Sequence, residues 1–189
     1  MRPRALLLDR DGVINVDHGY VHQIQNFEFI DGIFDLARSA HVQQYDLIVI
    51  TNQAGIARGL YSEKQFNELT GWMCKEFESR GAPIAKVYFS PYHPTEGIGI
   101  YKKDDVSRKP HPGMILQAQS EFNLDLASSI LIGDKSSDIQ AGIAAGVGKN
   151  ILLAPSAPDD LLGRAYQRIS SLDEALGFLS RGHSMAAGQ

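Results

Sequence analysis

Short apolar runs in this chain stop abruptly on acids and amides, and that alternation restricts the folds open to it more than any other feature. ALLL at 5–8 runs into Asp9, Arg10 and Asp11; DLIVIT at 46–51 is followed by Asn52 and Gln53; SILIG at 129–133 meets Asp134 and Lys135. KVYFS at 86–90 and NILL at 150–153 are runs of the same kind. Strands without polar alternation must be covered on both faces, which in practice means a parallel sheet between layers of helices. Helical patterns fall between the runs, at 32–44, 62–81, 112–123, 136–146 and 171–180. Ser62, with Gln65 three residues on, is placed as an N-cap, and Gly81 and Gly146 stand where helices should stop.

The rest of the composition narrows the class. A length of 189 residues suits one domain spanning 1–189, with 181–189 expected as a flexible tail. A net charge of −4 gives no electrostatic support for a nucleic-acid partner. A lone Cys74 allows neither an internal disulfide nor a cysteine metal site, which fits a reducing cytoplasm. No apolar stretch approaches a membrane span, and the run of four at the start is too short for a signal peptide, so no membrane partner is expected.

In an open α/β sheet, ligands bind beyond the carboxyl ends of the strands. That edge should gather Asp9, Asp11, Asp134 and Asp138 with Thr51, Asn52, Gln53 and Lys135, and RKP before a helix adds Arg108 and Lys109. Clustered carboxylates repel unless a hard cation joins them, and an all-oxygen donor set suits Mg2+. The cations must answer some other negative charge, and a phosphoryl group meets both demands. Asp9 is then placed to attack phosphorus and Asp11 to serve as general acid and base.

DRDG, TNQ, RKP and GDKSSD, in that order after successive elements, resemble the motifs of the haloacid dehalogenase (HAD) phosphatase superfamily. The longer stretches LDRDGVINVDHGYV, NFEFIDG, TNQAGIARG, RKPHPGM and GDKSSDIQAG are closely similar to its D-glycero-D-manno-heptose-1,7-bisphosphate 7-phosphatase family. The resemblance covers residues 5–153 and implies a three-layer Rossmann-like α/β fold. It also implies removal of the C7 phosphate through an aspartyl phosphate, in nucleotide-heptose synthesis for lipopolysaccharide or capsule. By that resemblance Asp9 is the nucleophile and Asp11 the acid/base; Asp9, the Asp11 carbonyl and Asp134 bind Mg2+; Thr51 and Lys109 stabilise the phosphoryl group. Asp17, His18, Gly19, Tyr20, Asn52, Gln53, Ala54, Arg108 and Lys135 would contact substrate. Spacing leaves no room for a cap domain after Asp11, and one helix, one strand and a loop are expected between Thr51 and Lys109.

One departure from the family concerns its zinc loop, where Cys-x-His and Cys-x-Cys are replaced by Ser90, Tyr92, Asp105 and Ser107. Zinc is therefore not expected, and Tyr92, Ile98, Ile100 and Tyr101 should hold the loop by packing. Several residues carry two readings. Asp138 reads equally as support for the metal site or as a cap of the helix after it. Arg58 reads as a phosphate ligand or a surface arginine; His18 and Tyr20 read as site residues, Tyr20 also as flap packing. For the whole chain, a histidinol-phosphate phosphatase and an inactive HAD-fold binding module are the alternatives to a cytoplasmic, monomeric heptose-bisphosphate phosphatase. Intact Asp9, Asp11, Lys109 and Asp134 speak against the inactive module.

Overall fold

The computed structural model describes residues 2–154 and 165–179. Strands β1 (Arg4–Leu8), β2 (Tyr45–Asn52), β3 (Ile84–Ser90), β4 (Ile130–Gly133), β5 (Lys149–Leu153) and β6 (Gln167–Ile169) form one six-stranded sheet in the order β3-β2-β1-β4-β5-β6. Every pairing is parallel. Helices α1 (Ile33–Val42), α2 (Ala54–Ala57), α3 (Glu63–Ser79), α4 (Gly113–Phe122), α5 (Ser136–Ala145) and α6 (Leu172–Ala175) complete the fold.

Side chains alternate across a strand, so each apolar run feeds two cores. Leu6, Leu8, Leu47, Val49, Ile130 and Ile132 point into one core with Ile33 and Leu36 of α1 and Leu69, Met73 and Phe77 of α3. Ala5, Leu7, Ile48, Ile50 and Leu131 point into the other with Met114, Ile115 and Ala118 of α4 and Ile139 and Ala141 of α5. Both faces are sealed, which is why these strands lack polar alternation.

The helix boundaries expected from sequence hold. Ser62 Oγ accepts from the Gln65 backbone N–H while Gln65 Oε1 accepts from the Ser62 N–H. Gly81 and Gly146 take the left-handed conformation at φ 75° and 81° as α3 and α5 end. Two elements were not expected: α2, one short turn straight after the TNQ segment, and β6. The 171–180 pattern is α6 followed by a 3-10 turn at Leu176–Phe178, and its last residue lies outside the described residues, as does the expected tail.

The chain runs β1, β2, β3 to one side of the sheet and β4, β5, β6 to the other, so the carboxyl end of β1 opens between those of β2 and β4. Residues 9–32 form turns, isolated bridges and a 3-10 turn at Ile24–Asn26, not a cap domain.

Candidate active site

Asp9 is the first residue beyond β1, and its backbone N–H donates to the Ile132 carbonyl of β4 at 3.0 Å, which fixes it at the strand opening. The residue is 6% exposed. Oδ1 accepts from the Arg10 N–H at 2.7 Å and from Lys109 Nζ at 2.9 Å. Burial pushes the Asp9 carboxyl up to about 7; Lys109 works against that, while Asp138 and Asp134 add to it. Burial likewise raises Asp134, whose Oδ1 is buried without a partner. One carboxylate oxygen each from Asp9, Asp134 and Asp138 lie within 4.8 Å of one another. A buried, all-oxygen cluster with an orphaned acceptor has the chemistry that a hard divalent cation satisfies. The Gly of DRDG is part of the same geometry, since a Cβ on Gly12 would sit 2.3 Å from Asp134 Oδ2.

Lys109 is 3% exposed and uses its whole ammonium inward, on Asp9 Oδ1, on Asp138 Oδ1 at 2.7 Å and on the Ile50 carbonyl at 2.8 Å. Burial opposes its charge, yet Asp138 and Asp9 hold its pKa above the usual lysine value. Asn52 anchors the Lys109 backbone from β2: its Nδ2 donates to the Lys109 carbonyl at 2.9 Å and its Oδ1 accepts from the Lys109 N–H at 3.0 Å. Asp138 takes the capping role and an ion pair besides. Oδ2 caps α5 by accepting from the Lys135 N–H at 2.9 Å, and Oδ1 pairs with Lys109.

Three side chains donate to Asp11. Arg10 Nη2 lies 2.8 Å from both of its oxygens, Asn15 Nδ2 donates to Oδ1 at 3.1 Å and Gln53 Nε2 donates to Oδ2 at 3.1 Å. Arg10 itself is 1% exposed, so it is committed to Asp11 and to the Val21 carbonyl.

A cavity of about 350 Å³ opens over these groups, bordered by Asp9, Asp11, Thr51, Lys109 and Asp138 and by the expected substrate residues Asp17, Gly19, Tyr20, Asn52, Gln53, Ala54 and Lys135. Lys135 Nζ bridges Asp17 Oδ2 at 3.1 Å and Asp134 Oδ2 at 3.3 Å. His18 is not brought to this cavity: its Nε2 faces Glu28 Oε2 at 3.1 Å. Arg58 and Arg108 also stand outside the lining. Arg58 pairs with Glu96 and sits over the Tyr20 ring at 5.5 Å, while Arg108 Nη1 donates to the Tyr92 carbonyl at 3.0 Å. Burial, and then the positive charge of Arg58, lower the Arg108 pKa. Sequence reasoning missed Gly55, Tyr61 and Ser137, which line the cavity as well. The signal for Tyr61 was an aromatic flanked by a turn, which does not announce a site.

The 91–107 loop is held partly as expected. Tyr101 packs against the Ile56, Tyr61 and Phe66 cluster, with its ring 6.2 Å from that of Tyr92 and its hydroxyl donating to Glu63 Oε1 at 2.9 Å, whereas Ile98 and Ile100 are 65% and 81% exposed. Polar bonds also connect the arms. Ser107 Oγ lies 3.0 Å from Ser90 Oγ and 2.6 Å from Asp105 Oδ1, and Lys103 Nζ lies 2.8 Å from Asp105 Oδ2 and 3.9 Å above the Tyr92 ring. Bonds from Lys103 and Ser107 hold Asp105 down at about 2.

Comparison with known proteins follows the same lines. A HAD-hydrolase-like family model matches residues 106–154. The chain is 59% identical, over 81% of its length and 81% of the relative's, to D-glycero-alpha-D-manno-heptose-1,7-bisphosphate 7-phosphatase of Burkholderia mallei. It is 46% identical, over 85% and 86%, to the Yersinia pestis enzyme named for the beta anomer. Among solved structures, a protein of Mesorhizobium loti assigned as a HAD-like phosphatase superposes with a TM-score of 0.84 at 32% identity, covering 94% of this chain and 84% of that one. The fold of the B. bronchiseptica D,D-heptose 1,7-bisphosphate phosphatase, solved with magnesium and phosphate, matches with a TM-score of 0.77 at 24% identity, covering 93% of this chain and 97% of that one.

Proposed function

The chain belongs to the D-glycero-D-manno-heptose-1,7-bisphosphate 7-phosphatase family of HAD-like hydrolases, and from that premise we propose that it removes the C7 phosphate of this sugar bisphosphate at the cleft over β1. The observation that carries the reading is the placement of Asp9 at the buried strand tip, against Lys109 on one side and the Asp134 and Asp138 carboxylates on the other.

Lys109 and the Arg10 N–H both engage Asp9 Oδ1, so Oδ2 is the oxygen that attacks phosphorus, forming an aspartyl phosphate as the bond to the C7 oxygen breaks. Asp11 delivers a proton to that departing oxygen and takes one from the water that later hydrolyses the acyl phosphate. Arg10, Asn15 and Gln53 all donate to Asp11, so one of those donors must yield when Asp11 presents a proton to the leaving oxygen. The Thr51 hydroxyl donates to a phosphoryl oxygen. Lys109 contributes charge, and a hydrogen bond once one of its carboxylate contacts yields. Asp9, the Asp11 carbonyl and Asp134 would hold Mg2+, which supplies positive charge for the phosphoryl oxygens.

Asp17, Gly19, Tyr20 and Lys135 at the rim would position the sugar, and Arg108, together with Arg58, would hold the second phosphate. No helix among the described residues is long and apolar enough to cross a membrane. The reading keeps a cytoplasmic, monomeric enzyme whose product supplies activated heptose for surface polysaccharide.

Steady-state hydrolysis of the α and β 1,7-bisphosphates, set against histidinol phosphate and followed by 31P NMR, tests this. A higher kcat/KM on a heptose bisphosphate, with the C7 signal lost first, is expected. Preference for histidinol phosphate, or first loss of the C1 phosphate, would overturn it.

A further inference from the structure

One amide connects Asp11, just past β1, with Thr51 at the end of β2. Gln53 Nε2 lies 3.1 Å from Asp11 Oδ2 and 2.8 Å from Thr51 Oγ1, and Gln53 Oε1 lies 2.5 Å from Tyr61 Oη. Gln53 and Tyr61 are 1% and 6% exposed. The direction of this chain of bonds follows from the donor inventory. A carboxylate only accepts, so the amide NH2 must face Asp11; the amide carbonyl then faces Tyr61, which must donate. The two amide protons are divided between Asp11 and Thr51. Thr51 accepts, and so keeps its own proton for another acceptor.

We infer that Tyr61 and Gln53 form a positioning pair, in which the Tyr61 hydroxyl locks the Gln53 amide and the amide sets both the Asp11 carboxylate and the direction of the Thr51 hydroxyl. The inference rests on the phosphatase reading above. A rotated amide would put its carbonyl against the Asp11 carboxylate and would turn the Thr51 proton inward, away from the phosphoryl group. Tyr61 favours the unrotated amide because its hydroxyl donates to Gln53 Oε1, and rotation would exchange that bond for one in which Tyr61 only accepts. Burial pushes its pKa up to about 12, so the hydroxyl stays protonated.

The surroundings are shaped around the ring of Tyr61. A Cβ on Gly55 would lie 2.1 Å from Tyr61 Cε1, so the residue two past Gln53 has to be glycine for the ring to fit. The His22 imidazole stacks on the Tyr61 ring at 4.9 Å, with planes 7° apart. With Arg10 and Asn15 fixed on Asp11 from the far side, Gln53 is the contact through which β2 sets the acid/base group.

Tyr61→Phe removes one hydroxyl and keeps the ring, so it isolates the lock. With wild type run alongside on heptose 1,7-bisphosphate, kcat should fall about ten-fold while KM holds, a fraction of a full acid/base loss. The same substitution in a Gln53→Ala background should cost nothing more, because the group it acts through is already gone. An active wild type with an undiminished Tyr61→Phe variant would overturn the inference and leave the phosphatase reading standing. So would equal losses in both backgrounds, or a loss that tracks a lowered melting temperature. A wild type inactive on the bisphosphate would overturn both.

Discussion

Lys109 Nζ lies 2.9 Å from Asp9 Oδ1 in a nearly closed interior, and the same ammonium holds Asp138 at 2.7 Å. Removing one partner of a buried pair leaves an uncompensated charge, which typically costs about 3–5 kcal/mol. Lys109→Ala should therefore lose stability on that order as well as turnover, because two carboxylates lose their shared cation. Urea unfolding at neutral pH checks this, and a midpoint within error of wild type would show that Lys109 acts only in chemistry.

Divalent metal should stabilise the protein, and more so at higher pH. Asp9 is raised from its ordinary value to about 7 in the metal-free fold. Between about pH 4 and pH 7 the folded state thus holds more of this proton than the unfolded chain, so the contribution of Asp9 to stability falls as pH rises. A cation among Asp9, Asp134 and Asp138 removes that penalty. Melting temperatures with Mg2+ at about a hundred-fold excess over Kd should rise by about 5–10 °C at pH 8, less at pH 5. Asp134→Asn should abolish the response; an equal rise in that variant would place the metal elsewhere.

Arg108 should matter to the remote phosphate. Its guanidinium stands outside the cavity lining, where Nη1 donates to the Tyr92 carbonyl. Arg108→Ala should then damage the heptose bisphosphate reaction far more than hydrolysis of p-nitrophenyl phosphate, which has no second anion to hold. Equal losses on the two substrates would place Arg108 at the reacting phosphate.

The 91–107 loop should not depend on zinc. Hydroxyls are poor zinc ligands at neutral pH, and a structural site needs about four good donors. Ser90, Asp105 and Ser107 instead bond to one another, and His93 Nδ1 accepts from the Glu96 N–H at 3.0 Å. Elemental analysis after dialysis should find no zinc, and Asp105→Ala should expose the loop amides to faster hydrogen exchange. Near-stoichiometric zinc would contradict this account of the loop.

The parts of the fold legible in the sequence were those where one period dominates. β1, β2 and β4 carry unbroken apolar runs at 5–8, 47–50 and 130–133 because both faces are covered there, and α3 carries a capping box and a clear apolar stripe. β6 escaped because Gln167–Ile169 is too short to carry a pattern, and it is defined by pairing with β5. In the site, charged residues at strand ends were visible because burying them needs a cause. Tyr61 was not, since its role comes from a hydroxyl meeting Gln53 across a turn. Ile98 and Ile100 misled because apolar residues in a loop suggest packing, whereas the loop is tied by polar bonds around Asp105.

The most direct test of the account is to catch the covalent intermediate. Enzyme quenched in acid during turnover of heptose 1,7-bisphosphate, then reduced with borohydride, converts an aspartyl phosphate to homoserine, which peptide mass spectrometry locates. The account predicts homoserine at position 9, and none in an Asp9→Asn variant. Conversion at Asp11, Asp134 or Asp138, or turnover at full rate with no trapped residue, would contradict it.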